Sequence, residues 1–273
     1  MTAGLLTGAR PRLLAPGPAD LAGHTARYGP PPAVPGRRQR DALIAEVARA
    51  GLTGRGGAGF LTARKLAMVA AGHAPVVVAN GTEGEPASAK DRVLMACSPH
   101  LVLDGAVLAA EITGARRAVI VVHRDVRAVL DEAVAERARA RLDRVRLEIR
   151  TAAEGFVAGQ ASAVVQWVQR GVPAPTATPP RLAQRGLRGA PTLVQNVETL
   201  AHLALIARYG ASWFRSAGTP VEPGSMLVTV LGAVRAPGVR EVAIGTPVGQ
   251  LLDLAGGASA PLQALLLGGY FGT

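Results

Sequence analysis

The sequence predicts an α/β protein in which a parallel sheet carries helices on both faces and a smaller strand-rich unit follows. Two short apolar runs, at 75–80 and 118–122, are typical of buried strands, and an alternating run at 145–149 predicts a third. Helical periodicity fills the segments between them, and parallel strands need crossover connections of this kind. Ligands of such sheets bind beyond the carboxyl ends of the strands, so the residues after Asn80 form a candidate site.

Helical spacing of apolar residues, together with local start and stop signals, places the helices of this first unit. Gly51 and Gly114 are predicted helix stops, and Ser98 with Pro99 is a predicted helix start in which the serine is the cap. Helices are predicted at 41–50, 62–71, 98–114, 124–142, 162–170 and 194–209.

The two ends of the chain differ in character from the middle. The first forty residues are rich in proline, glycine and alanine without a sustained apolar period, which predicts an irregular arm. Toward the other end, the predicted elements are strands at 226–231, 239–243 and 264–267 and a helix at 248–254. The expected units are an arm at 1–40, an α/β unit at 41–219 and a small strand-rich unit at 220–273.

Composition argues against several classes of function. The formal net charge is +11, but only 3% of the residues are aromatic and the arginines are scattered, so we expect no nucleic-acid binding. No run approaches the roughly eighteen consecutive apolar residues of a spanning helix, which predicts a cytoplasmic protein without membrane insertion, at most peripheral to a membrane complex. The histidines show no paired ligand spacing, and the single cysteine, Cys97, cannot hold a metal ion or an iron–sulfur cluster.

A glycine cluster at 54–60 is the strongest local signal. It satisfies G-x-G-x-x-G formally, but the dinucleotide-binding form of that motif follows a strand, and here a helix precedes it. Glycines nevertheless let the backbone approach a phosphate or a flat ring, and the helix that starts near Thr62 offers free N–H groups. Lys65, one turn into that helix, can add a positive charge for a phosphate. The alternative is a glycine-rich turn between two helices.

A second polar group of residues, at 80–86, follows the first predicted strand, and a Lys-Asp-Arg run stands at 90–92. Amide and carboxylate groups at the end of a strand can hydrogen-bond a heteroaromatic ring, a ribose hydroxyl or an amide. The alternative is a solvated turn, because the same residue types are common in turns.

Four motifs taken together resemble one family. They are GLTGRGGAGF at 51–60, NGTEGEP at 80–86 with KDR at 90–92, GLRGAPT at 186–192 and NVETL at 196–200. In content, order and spacing they resemble the flavoprotein subunit of respiratory complex I and its bacterial relatives. The strand-rich tail, with proline and glycine at 237 and 238, resembles the soluble-ligand-binding β-grasp (SLBB) module that follows the flavin domain in that family.

The resemblance implies an FMN-dependent oxidoreductase subunit that accepts hydride from NADH and passes electrons to an iron–sulfur partner. It assigns Glu85 to the catalytic side that faces NADH, and Phe60 to stacking on the nicotinamide nucleotide. The flavin-binding positions that it implies are Arg55, Gly56, Gly57, Lys65, Asn80, Glu83, Gly159, Gln195 and Asn196. The four-cysteine cluster domain of that family has no counterpart in these residues, so we expect the cluster on another chain or on a further segment.

The chain departs from the family pattern on the nucleotide side of the site. Gln160 and Ala161 stand where the family has two glutamates, and Met68 and Arg181 stand at aromatic positions. Gln195 replaces the first asparagine of a pair. We therefore expect flavin binding to be retained and NADH oxidation to be weakened. The alternative function is a non-catalytic binding or assembly subunit with a degenerate flavin pocket.

Overall fold

The computed structural model describes residues 12–14, 16–32, 36–176 and 181–269. Its helices are α1 (Leu21–Tyr28), α2 (Arg37–Ala50), α3 (Thr62–Ala70), α4 (Lys90–Cys97), α5 (Pro99–Thr113), α6 (Arg127–Arg139), α7 (Ala161–Arg170), α8 (Val197–Arg215) and α9 (Val248–Leu254). Its strands are β1 (Val76–Gly81), β2 (Arg117–Val122), β3 (Arg146–Thr151), β4 (Thr192–Asn196), β5 (Ser225–Val230) and β6 (Gly238–Ala243). A short 3-10 turn at Phe156–Gly159 precedes α7.

Four strands form one parallel sheet in the order β3-β2-β1-β4. Strand β1 is central, with Val78 paired in register to Val119 of β2 and to Val194 of β4. The apolar runs of β1 and β2 reflect burial on both faces, as is usual in parallel sheets, whereas β3 at the edge is partly exposed. The α/β fold class expected from the sequence is confirmed: the chain forms a parallel sheet with helices, and a small unit follows it in the sequence.

Side chains of successive strand residues enter two separate cores, because they point to opposite faces of the sheet. Val77 joins the larger core, to which α2, α3, α5 and α8 contribute, whereas Val78 packs in a smaller core with α7. Helices α5 and α8 lie against each other, since a Cβ on Gly105 would collide with the backbone of Leu200. This close packing fixes α8, which begins at the carboxyl edge of the sheet.

The sequence interpretation was wrong at the fourth strand. Thr192–Asn196 form β4, whereas a helix was expected from 194. A segment of five residues, of which only Leu193 and Val194 are apolar, is too short for a periodicity that separates a strand from a helix. The helix begins only after Asn196, whose side-chain oxygen accepts the N–H of Glu198 at 3.0 Å and caps α8. Gly210, with a φ angle of +83°, kinks it one residue after the predicted end, and α8 resumes beyond the kink to Arg215.

The N-terminal arm is more regular than expected. Helix α1 lies inside it, capped by the Asp20 carboxylate, which accepts the N–H of Gly23 at 2.8 Å, and α2 already begins at Arg37. A helix of eight residues is only marginally stable by itself and depends on tertiary packing. Two turns also give too short an apolar pattern to recognise in the sequence. The parts of this prediction at 1–11, 15 and 33–35 lie outside the described residues.

Glu241 of β6 fastens the arm to the small unit. Its side chain is fully buried, and Oε2 accepts the backbone N–H groups of Arg12, Leu13 and Leu14 at 2.9, 2.8 and 3.2 Å. Burial raises the pKa of Glu241, and these N–H donors act in the opposite direction. Ser98, which was expected to cap α5, instead donates its hydroxyl to the Leu13 carbonyl oxygen at 2.7 Å.

The small unit consists of the antiparallel pair β5 and β6 and of helix α9. Leu227 pairs with Glu241 in the register of this hairpin. The strand expected at 264–267 does not form: these residues have no regular structure, and Leu266 is 64% exposed. An apolar run becomes a strand only beside another strand, and none of the described residues pairs with this one.

Helices α4 and α5 meet at a sharp bend of 98°. Across the described part of the chain, no single helix is long and apolar enough to cross a membrane. Taken together, α4 and α5 are long and apolar enough to cross a membrane, but only by the criteria of length and composition. Within the fold, every residue of α5 except Glu111 is buried.

Candidate active site

Three loops meet at the carboxyl edge of the sheet. Asn80 of β1 and Asn196 of β4 are register partners there. The glycine loop (54–59) packs against Asn196, because a Cβ on Gly56 would lie 3.2 Å from the Cβ of Asn196. The Asn80 side chain donates to the carbonyl oxygen of Gly159 at 2.9 Å and thereby holds the turn before α7. The structure therefore brings the separate sequence motifs together.

The glycine loop presents bare backbone to the outside. A hydrogen bond of 3.0 Å from the Gly54 N–H to the Phe60 carbonyl oxygen closes its base. Gly57 and Gly59 adopt φ angles of +102° and +57°, which glycine adopts without strain, and open space surrounds both missing Cβ positions. A flat ring or a phosphate can therefore reach the backbone of this loop.

Lys65 places a positive charge at β4, next to Gln195, which in turn lies beside Gly54 of the glycine loop. Its ammonium group donates to the Val194 carbonyl oxygen at 2.7 Å and to Oε1 of Gln195 at 3.3 Å. Among the described residues no carboxylate pairs with it, and burial lowers its pKa without an opposing charge. Gln195 is only 4% exposed, so its side chain orients Lys65 and does not face open space. An anion at this position would stabilise the charged form of Lys65.

Glu83 does not present its carboxylate to a ligand. The side chain is 3% exposed, and Oε1 accepts the Asp91 N–H at 3.0 Å and the Ser88 hydroxyl at 2.7 Å. Oε2 accepts the backbone N–H and the Nε of Arg92 at 3.2 and 3.1 Å. The carboxylate thus caps the start of α4, where Ala89 has no side-chain acceptor. This leaves only the backbone of Glu83 for the flavin contact that the resemblance implies.

A buried ionic cluster, to which the sequence analysis gave no role, holds Asn196. Its Nδ2 donates to Asp91 at 2.7 Å, and Lys90 bridges Asp91 and Glu198 at 2.8 Å each. Burial raises the pKa of Asp91 to about 6, although the neighbouring Lys90 acts in the opposite direction. Burial alone would lower the pKa of Lys90, but the two carboxylates raise it. These residues belong to the quoted motifs, so the signal was present in the sequence.

Arg55 lies in the glycine loop, but its side chain faces the protein. The guanidinium group donates to Oγ1 of Thr53 at 2.7 Å and to the Pro223 carbonyl oxygen at 3.2 Å. The backbone N–H donates to Oγ1 of Thr199 at 2.9 Å. Arg55 therefore fastens the loop to α8 and to the segment before β5.

Two aromatic side chains and one carboxylate lie at the open rim. Phe60 is 43% exposed, and Phe156, which was not predicted as a site residue, is 52% exposed. Glu85 is half-buried, and its Oε1 accepts the Ala87 N–H at 3.3 Å. The chain at Gly269 approaches the same carboxylate closely. Exposed aromatic rings beside a carboxylate suit a nucleotide. Phe156 could have been found from the sequence, because it is an aromatic residue shortly before the predicted site residue Gly159.

The positions that depart from the family pattern are open or partly open. Gln160 is exposed, and its Oε1 accepts the Ser162 hydroxyl at 3.0 Å. Ala161 begins α7, whose first turn carries no acidic residue. Arg181 is exposed, whereas Met68 packs against the larger core. The start of α7 therefore supplies no negative charge to the site.

The loop at 80–86 touches the turn before α7 backbone to backbone. A Cβ on Gly84 would lie less than 3.0 Å from the carbonyl oxygen of Phe156. We expect Gly84→Ala to lower the free energy of unfolding by about 1 to 3 kcal/mol, because the two loops must move apart. The control is Gly249→Ala in α9, where open space surrounds the position. Urea denaturation measures both, and wild-type stability of Gly84→Ala would contradict this contact.

A parallel sheet defines a cofactor-binding α/β protein when its carboxyl edge carries a glycine loop, exposed aromatic rings and a lysine that has no carboxylate partner among the described residues. The chain belongs to the Nuo51 FMN-binding domain family, which it matches over residues 47–205, and it carries an SLBB domain over residues 227–267. The family expected from the four motifs is confirmed. Both matched ranges fall inside the ranges expected for the two units.

Two proteins and one solved structure illustrate what this chain is similar to over 81% of its length. The F subunit of NADH-quinone oxidoreductase from Mycobacterium tuberculosis is 35% identical, over 81% of this chain and 54% of that protein. The alpha subunit of the NAD-reducing hydrogenase HoxS from Cupriavidus necator is 33% identical, over 81% of this chain and 39% of that protein. The crystal structure of an NAD+-reducing [NiFe]-hydrogenase in the air-oxidized state has a TM-score of 0.75 at 38% identity, over 81% of this chain and 40% of that chain. The chain thus spans about half the length of the mycobacterial relative.

Proposed function

We propose that this chain holds FMN at the carboxyl edge of its sheet and serves as the NADH-oxidising flavoprotein subunit of a larger electron-transfer enzyme. The observation that carries the proposal is Lys65, a half-buried cation without a carboxylate partner among the described residues. Its hydrogen-bond partner Gln195 lies beside Gly54, at the base of a loop of bare glycine backbone. The phosphate of FMN suits this position, since ammonium and backbone N–H groups form charge-assisted hydrogen bonds with it. Membership of the FMN-binding family supports the same cofactor.

The residues around Lys65 suit the rest of the flavin. Gly57 and Gly59 leave the loop backbone open to a flat ring, and Gly56 lets the loop pack closely on Asn196. Asn80 and Asn196 hold the neighbouring loops in place. When bound, FMN supplies the redox chemistry, because it accepts two electrons with a hydride and releases them singly. The protein's part is to bind, orient and shield it.

The open rim suits the nicotinamide nucleotide. Phe60 is 43% exposed, and the guanidinium carbon of Arg64 lies over its ring, 5.7 Å from the ring centre. A base or the nicotinamide can stack on the exposed part of this ring. The Glu85 carboxylate can accept hydrogen bonds from a ribose hydroxyl or from the nicotinamide amide, and we propose it as the residue that orients NADH. Exposed Phe156 extends the same rim.

The electrons need an acceptor with a metal cluster or another one-electron carrier. The single cysteine of these 273 residues cannot hold an iron–sulfur cluster. We propose an iron–sulfur protein or subunit as the partner. In support, the relatives from NADH-quinone oxidoreductase and from NAD-reducing hydrogenase are named as subunits.

Anaerobic titration of the purified protein, first with FMN and then with NADH, tests the proposal. We expect saturable quenching of flavin fluorescence and then bleaching of the flavin absorbance by NADH. A protein that binds no FMN would contradict the cofactor site. Binding of FMN without bleaching by NADH would favour a non-catalytic assembly subunit. The observation that favours this alternative is the first turn of α7, which carries no acidic residue.

Restoring the missing carboxylates is expected to strengthen NADH binding. For Gln160→Glu with Ala161→Glu, we expect the NADH concentration at half-maximal flavin reduction to fall about three- to tenfold, because each new carboxylate can accept a hydrogen bond from the nucleotide. Stopped-flow reduction of the FMN-loaded protein measures it. The control, Gln166→Glu with Gln169→Glu, adds the same charge further along α7. An equal change in both variants would show a general charge effect and contradict this explanation.

A further inference from the structure

The start of the SLBB domain, together with the segment that leads into it, contacts three elements that build the candidate flavin site. These elements are the glycine loop, the start of α4 and the start of α8, and all three contacts come from the segment at 223–229. The hydrogen bonds run from Arg55 to the Pro223 carbonyl oxygen (3.2 Å), from the Ala89 N–H to Thr229 Oγ1 (3.0 Å) and from the Leu227 N–H to Glu198 Oε1 (2.9 Å).

Thr229 acts on the start of α4. Its hydroxyl oxygen accepts the N–H of Ala89, Oγ of Ser88 accepts that of Lys90 at 3.5 Å, and Glu83 accepts those of Asp91 and Arg92. These three acceptors together satisfy the N–H groups of the first turn, which have no partner within the helix. The orientation of α4 places Lys90 and Asp91 against Asn196.

Leu227 acts on the start of α8. Glu198 is 1% exposed, and its two carboxylate oxygens have different partners: Oε2 accepts from Lys90 at 2.8 Å and Oε1 from the Leu227 N–H. The loss of one hydrogen-bond donor to a buried carboxylate destabilises the folded protein, because the carboxylate oxygen is left without a partner. Strand β5 therefore supports the ionic cluster that holds Asn196.

We propose that the SLBB domain positions the loops of the flavin site, and that Thr229 is a positioning residue for flavin binding. Thr229 acts through Ala89 and α4 on Asn196, without touching the cofactor. The inference rests on the proposed function, because it takes FMN as the ligand. The affinity for FMN then depends on β5, a strand that lies outside the flavin unit.

Thr229→Val removes the acceptor and keeps the shape of the side chain. We expect the FMN dissociation constant to rise about three- to tenfold, as for one lost hydrogen bond, and Thr229→Ser to restore the wild-type value. Val228→Thr is the matched control, because adjacent strand residues point to opposite faces. FMN fluorescence quenching measures all four proteins. Unchanged affinity of Thr229→Val, or no restoration by Thr229→Ser, would overturn the proposal.

Hydrogen exchange of the flavin-free proteins separates this inference from the proposed function. We expect Thr229→Val to speed amide exchange at 89–92 and in the glycine loop, whereas Val228→Thr leaves it unchanged. If the wild type bound no FMN, the proposed function would fail, and exchange alone would decide whether β5 positions the loops. Unchanged exchange in Thr229→Val would overturn the positioning. Faster exchange confined to Ala89 would do the same, because the effect would not reach the site.

Discussion

Lys65→Met is expected to weaken FMN binding about tenfold to a hundredfold and, at the same time, to raise the melting temperature of the flavin-free protein. The loss of affinity follows from one charge-assisted hydrogen bond, worth about 1.5 to 3 kcal/mol. The gain in stability follows from the burial of Lys65, which lowers its pKa without a carboxylate partner among the described residues. Methionine fills similar space without a charge.

Titration with FMN and with riboflavin identifies the group that Lys65 binds. We expect the wild type to prefer FMN over riboflavin, and Lys65→Met to lose most of that preference, because riboflavin lacks the phosphate. Arg116→Met is the control: it removes an exposed cation next to the amino end of β2, at the opposite edge of the sheet. An unchanged preference for FMN in Lys65→Met would remove Lys65 from the phosphate site.

Sequence motifs predicted the backbone of the site better than its side-chain contacts. The glycine loop, Asn80 and Asn196 meet as expected, because strand ends of a parallel sheet share one edge and glycines mark close approach. Glu83 and Arg55 were expected at the ligand, yet their side chains bond to α4 and to Pro223. Which partner a charged group takes depends on the tertiary structure, and a linear pattern does not record it.

The two wrong strand assignments have the same physical origin. Thr192–Asn196 become β4 because β1 lies beside them, and the residues at 264–267 remain irregular because no described strand does. Likewise, the hydrogen bond between Arg55 and Pro223 joins residues 168 positions apart, and that between Ala89 and Thr229 joins residues 140 apart. Periodicity within one segment cannot predict pairing over such separations.

Asp104 of α5 joins the arm to the helices of the larger core. Its carboxylate accepts from His24 of α1 at 2.8 Å, from Arg137 of α6 at 2.7 Å and from Arg208 of α8. Asp104 and Arg137 are each 1% exposed, and Arg137 also pairs with Asp143 at 2.6 Å. Four helices thus meet at one buried carboxylate, and among them is α8, which carries the cap residue Asn196 at the site.

Asp104→Asn is expected to lower the free energy of unfolding by about 3 to 5 kcal/mol, because it leaves Arg137 and Arg208 as buried cations around a neutral side chain. Burial alone would raise the pKa of Asp104, but its three partners hold it below the ordinary value of about 3.9. This stabilisation is therefore complete above that pH and is lost as the pH falls through the folded-state pKa, so the difference from wild type should shrink in acid. Glu132→Gln breaks an exposed pair with Arg139 and is expected to change the stability by at most about 0.5 kcal/mol. Urea denaturation at pH 7 and in acid compares the two variants, and equal midpoints at pH 7 would show that the buried network does not hold the helices together.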